Sequence, residues 1–243
     1  MNKSRVIPLS REYINQKALR IRQATKTEID FLFPIEETIE VLLECMEGSL
    51  EIVEDDKLPY NIPARTVSYP NINSHKYFPY TIIQIKESVY LGAISGNPED
   101  RFTLAHEMGH AFLLHGCTEN KVCGIDENIL PTEDPEWQAD TFAKELLAPS
   151  YFFTIFDPIF LAKVCKTPIK YVKEQSDYIL AKEIIESGLK KSHIKKSDYI
   201  VNYQEIPYPF EQLLLIPLNS PFYKKLRIPV ERSSVFILRL CFE

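Results

Sequence analysis

Glycine is scarce in this chain, seven in 243 residues, and neither an internal repeat nor a low-complexity tract is visible. With 45% apolar and 26% charged residues, these absences exclude collagen-like, fibrous and wholesale disordered chains. Long apolar runs are missing too. A stretch such as Leu213 to Leu218 is far short of the ~20 residues a membrane span needs. The first residues, MNKSRVIPLSREYINQ, contain no apolar h-region of a signal peptide. No two of the five cysteines, at 45, 117, 123, 165 and 241, are spaced CxxC. A reduced, cytoplasmic setting is therefore expected, without a disulfide framework. Positive charge is also in deficit, 28 basic against 34 acidic residues, for a net −6. Such a balance argues against a broad nucleic-acid surface. The one basic run, Lys190 to Lys196, reads as a solvated segment.

What is present is a succession of amphipathic helices. Residues 10 to 25 and 35 to 47 carry apolar positions at helical spacing, and Gly48 marks a stop. Leu50 to Val53 fits a short strand, and 54 to 75, with Pro59, Pro63 and Pro70, reads as loop. Two β-like runs follow, Tyr80 to Ile85 and Val89 to Ile94, with Lys86-Glu87-Ser88 as a turn between them. Asn97-Pro98-Glu99-Asp100 then opens a helix, with a cap, a proline at the first position and two acids for the dipole. This helix is expected to last to His115 and stop at Gly116. Asp134-Pro135-Glu136 repeats the start signal for a helix ending before Pro149. Residues 157 to 187 look helical, and 205 to 243 hold five prolines and several β-like runs.

The first of the two capped helices carries His106-Glu107-Met108-Gly109-His110, an HExxH pattern. Residues four apart share a helix face, so both imidazoles can bind one zinc ion. Glu107 lies beside that face and can act as general base on a water that the metal acidifies. With five His and 24 Glu, a shuffled chain of this composition shows the pattern about once in a hundred. A catalytic zinc takes a third protein ligand. A metzincin continuation is excluded, because Leu113 and Gly116 stand where it needs Gly and His. His115 is nine residues past His106 and would face the opposite side of a continuing helix. Cys117 has nearly the right azimuth but lies ~10 Å further along the axis than His110. Glu136 and Asp140 are spaced four apart on the second helix, beside the small Ala139 and Ala143. Glu136 is thus the expected third ligand, with Glu133 as the fallback. Asp140 is placed to hydrogen-bond the far nitrogen of a ligand histidine.

Arg101-Phe102-Thr103-Leu104-Ala105-His106-Glu107-Met108-Gly109-His110 resembles the core motif of the ImmA/IrrE metallopeptidase family. Glu136 to Pro149, ending in Leu-Leu-x-Pro, resembles that family's second motif. The resemblance covers roughly residues 10 to 180. It implies an α+β, compact zincin-like fold, with a small mixed sheet packed against helices and the HExxH on one of them. It implies one Zn2+ per chain held by His106, His110 and Glu136, with Glu107 as base and Asp140 behind the ligands. It also implies an intracellular endopeptidase acting on a specific protein partner, a helix-turn-helix repressor or antitoxin. Neither nucleic acid nor membrane is among the expected partners. The alternative is a metal-binding regulatory or sensor protein on the same fold that cleaves little. Leu161 to Val172 has a loose helix-turn-helix rhythm, which packing explains better than DNA binding.

Residues 1–185 are expected to form the peptidase domain, and 186–243 an extension of unassigned role. For aligning a substrate by β-addition, the run 89–94 is the candidate strand, with Val89, Leu91 and Ala93 along it. Tyr151, His75 and His115 are candidates for stabilising an oxyanion.

Overall fold

A computed structural model describes residues 5–46, 48–69, 80–116, 121–122 and 129–187. Seven helices and a small mixed sheet make up an α+β fold of the zincin-like kind. In chain order these are β1 (Arg5–Val6), α1 (Arg11–Ala24), α2 (Ile35–Cys45), β2 (Ser49–Val53), β3 (Ala64–Tyr69), β4 (Tyr80–Lys86), α3 (Glu87–Ser95), α4 (Pro98–Phe112), β5 (Lys121–Val122), α5 (Pro135–Leu147), α6 (Pro158–Val164) and α7 (Ile169–Ser187). The expected extension beyond α7 lies outside the described residues, as do the Lys190–Lys196 run, His75, Cys117 and Cys123. Among the described residues, no helix is long and apolar enough to cross a membrane.

The sheet has the order β2-β4-β3, with β2 parallel and β3 antiparallel to β4. β4 alternates along its length: Thr81, Ile83 and Ile85 are buried, while Ile82 and Gln84 are half-buried. Its inner face meets Ile14, Ile21, Ile39, Leu43, Leu104, Met108, Phe142 and Leu146 in one core. β3 is the strand that proline punctuation concealed, since Pro63 and Pro70 bound it without interrupting it. It forms one edge of the sheet and packs beside α4.

The second β-like run is not a strand. Lys86 closes β4, and residues 87–95 wind at once into α3. An apolar run this short fits either period, and its neighbours decide. Val89, Tyr90 and Ala93 are the positions turned inward, at helical spacing, while Leu91 and Ile94 are exposed. Gly96, in the left-handed region at φ 86°, ends the helix. A Cβ on Gly92 would stand 1.9 Å from Asp100 Oδ2, so α3 lies hard against the start of α4.

The two capped helices begin where their signals place them. Asn97 Oδ1 accepts from Glu99 N (3.0 Å), and Asp134 Oδ1 accepts from Glu136 N (3.0 Å). The buried Arg101 ties the first turn of α4 to the start of α2. It donates to both carboxylate oxygens of Glu36 (2.9 and 3.1 Å) and to the Phe33 carbonyl (2.6 Å). Beyond α5 a second, aromatic cluster collects Phe152, Leu161, Cys165 and Val172 around Phe31. Leu161 to Val172 thus supplies packing side chains to this cluster, in line with the packing explanation of its rhythm.

Candidate metal centre

α4 and α5 form the most extensive helix pair of the fold, and they touch backbone to backbone. A Cβ on Gly109 would lie 2.9 Å from Ala139 Cα and 3.0 Å from its carbonyl oxygen. Gly109 and Ala139 are thus the crossing point, with His106 and His110 on one helix and Glu136 and Asp140 on the other. The expected small residues, Ala139 and Ala143, are indeed buried here. Gly109 is the half of the contact that the motif's x positions hid. Gly109→Ala is expected to push the helices apart and cost ~1–3 kcal/mol, as overpacking does. Thermal unfolding reads this out, and an unchanged Tm would show that the interface gives without cost.

The crossing brings three donor groups together. His106, His110 and Glu136 each offer one ligand atom, all within 4.8 Å of one another. The two Nε2 atoms are 3.0 Å apart, His106 Nε2 is 3.3 Å from Glu136 Oε2, and His110 Nε2 is 3.5 Å from Glu136 Oε1. Zinc bonds of ~2.0–2.1 Å in tetrahedral array set ligand atoms ~3.3–3.4 Å apart, so the group fits such an ion. The Glu136 side chain is 69% exposed while those of His106 and His110 are 19% and 14%, so the group opens to solvent on the carboxylate side.

Charge tells the same story. Burial works to depress the His106 imidazolium, but the bonds to Asp140 and Glu136 outweigh it and raise His106 to about 10. Its Nδ1 is 2.8 Å from Asp140 Oδ1. Bonds from His106 and then His110 hold Glu136 well below the usual carboxylate range. The geometry favours a cation at this point.

Glu107 points between α4 and the sheet. It is buried, and Thr66 on β3 holds it: Thr66 Oγ1 is 2.7 Å from Glu107 Oε2 and 3.1 Å from the Glu107 carbonyl. Thr66 is the residue the sequence reading missed. The signal was there in Thr66, Val67 and Tyr69, β-formers bounded by prolines.

Other candidates fall elsewhere. Glu133 is taken by Arg5, at 2.5 Å. Tyr151 donates its hydroxyl to the Glu28 carbonyl and packs against the aromatic cluster. Val89, Leu91 and Ala93 lie on α3, so they offer no edge for β-addition. His115 comes back to the site, against expectation. α4 ends at Phe112, and Leu114, at φ 58°, turns the chain. His115 Nδ1 then sits 2.9 Å from His110 Nδ1. Burial, with the charge of His110 adding to it, pushes His115 down to about 4.

A scan of family models matches residues 65–158 to the IrrE N-terminal-like domain, a peptidase family. A search of curated proteins and one of solved structures each gave no match. The matched stretch holds nearly all of β3, then β4, α4 with its HExxH, and α5 with Glu136 and Asp140. Residues 65–158 of this chain thus match the IrrE N-terminal-like domain, which supports the resemblance to the ImmA/IrrE metallopeptidase family that the two motifs carry.

Proposed function

We propose that the protein is a zinc-dependent endopeptidase acting on a specific protein partner, a helix-turn-helix repressor or antitoxin. The observation that carries the hydrolytic reading is the juxtaposition of the His106–His110–Glu136 group with a buried carboxylate on the same helix. His106, His110 and Glu136 would hold the ion, and Asp140 would orient His106. A bound Zn2+ supplies a Lewis acid there, acidifying water and polarising a carbonyl. Glu107 takes the proton of the attacking water and returns it to the leaving amine. The Thr66 hydroxyl, donating to Oε2, keeps that carboxylate in one rotamer and leaves Oε1 for the water.

A peptide needs an edge to lie on, and β3 offers one. Among the described residues no strand pairs with its outer side. The strand that holds the base would thus also align the substrate, so that the scissile carbonyl is delivered beside Glu107. The partner class comes from the family resemblance alone.

The test is metal stoichiometry on wild-type protein purified without added metal, then stripped with chelator and reloaded with Zn2+. About one zinc per chain, recovered on reloading, is expected. A protein that takes up none would refute the reading.

A further inference from the structure

His110 is tied to a hydrogen-bond chain that leads away from the metal position, and with neutral rings every link in it has only one possible direction. The chain ends on two backbone carbonyls, which can only accept. Gln138, fully buried on α5, places its Nε2 3.0 Å from the Ile7 carbonyl and 2.6 Å from the Thr132 carbonyl. Both amide hydrogens are spent there, so Oε1 faces the other way. It lies 2.9 Å from His115 Nε2, and an amide oxygen can only accept. His115 therefore carries its proton on Nε2. In the neutral ring Nδ1 is then a bare lone pair, and it lies 2.9 Å from His110 Nδ1. His110 must supply the proton of that bond. Its own Nε2 is left as a lone pair, 3.5 Å from Glu136 Oε1 and 3.0 Å from His106 Nε2.

The same logic runs on the other histidine. Asp140 accepts at His106 Nδ1, so in the neutral ring His106 Nε2 is also a lone pair toward the shared point. With both rings neutral, two lone pairs and a carboxylate converge there, an arrangement that a bound cation relieves.

We propose that His115 and Gln138 are positioning residues of the metal centre: they lock His110 in the tautomer that presents Nε2 to the ion. The inference rests on the metal reading above and names residues outside the HExxH and Glu136 set. It also draws the N-terminal segment into the centre. The Ile7 carbonyl is held there by the β1–β5 pairing and by the Arg5–Glu133 ion pair.

The experiment uses full-length protein and Zn2+. Zinc affinity, from competition with a chelator, is expected to fall ~10–100-fold in His115→Leu. His115→Asn, whose side-chain oxygen reaches the place of Nδ1, is expected to restore most of the loss. A variant missing packing alone would not be rescued in this way. Long-range 1H–15N spectra of histidine-labelled wild type provide a second readout without substitution. Zinc-loaded protein is expected to show His110 with its proton on Nδ1 and His115 with its proton on Nε2. Wild-type affinity in His115→Leu, or either ring in the other tautomer, would overturn the proposal. Wild type that binds no zinc would bring down the metal reading instead. The His115 tautomer in metal-free protein would then still decide whether the chain runs as assigned.

Discussion

Glu107→Gln is expected to keep its zinc and to lose cleavage by ~10^2–10^4-fold, the range a general base contributes. The substitution changes one atom and no shape. Thr66 Oγ1, 2.7 Å from Oε2 and 3.1 Å from the residue's carbonyl, can still donate to the amide oxygen. The ligand group on the neighbouring face is left as it was, since Glu107 is not one of its three members. What disappears is the basic oxygen. The measurement is the rate of partner cleavage, followed by product mass, with zinc content determined on the same samples. Cleavage that survives in the variant would remove Glu107 from the role of base. Loss of zinc along with activity would mean that the residue serves the metal site itself. The comparison also separates the enzyme from a metal-binding sensor, because a pure binder has no use for a carboxylate buried at that position.

The parts of this molecule that sequence makes visible are those governed by contacts a few residues apart. Asn97 and Asp134 cap the helices they precede, and a proline follows each. The spacing of His106 to His110, and of Glu136 to Asp140, is a property of one helix turn. The closing of the site is a different matter, because it depends on partners distant in the chain. β3 looked like loop because prolines bracket it, and only its pairing with β4 makes it a strand. The run 89–94 is apolar and short enough to fit a strand, yet it winds into α3, with Gly92 hard against Asp100. His115 was placed by counting along a helix that stops three residues earlier. Gly109 within a helix counts as a liability of ~1 kcal/mol by propensity, and its use appears only when Ala139 lies across from it. Gln138 is a polar side chain at a fully buried position of α5. Its two carbonyl partners are 131 and 6 residues away in the chain.

Glu136→Ala is expected to lower zinc affinity by ~10^2–10^4-fold while leaving the fold intact. A protein zinc site contributes ~10–16 kcal/mol in all, so one ligand in three accounts for ~3–5 kcal/mol, and each 1.4 kcal/mol is a factor of ten. The carboxylate is also the only anion among the three, so its loss removes charge as well as a bond. The fold should not suffer. Glu136 stands in the first turn of α5, its side chain is 69% exposed, and the helix is capped by Asp134 through a backbone N–H that alanine keeps. Zinc affinity by chelator competition and the Tm of metal-free protein are to be compared side by side. A large fall in affinity with an unchanged metal-free Tm is the signature of a ligand. Equal falls in both would make Glu136 a structural carboxylate, paired with two histidines for the sake of the helix crossing. An affinity equal to wild type would move the third ligand elsewhere. Glu133, the fallback from sequence, is already held by Arg5, and Asp134 caps the helix. Of the acids on α5, Glu136 alone is within reach of both Nε2 atoms, whereas Asp140 meets only the far side of His106. The two carboxylates therefore divide the work that their spacing makes available, one toward the ion and one behind its ligand.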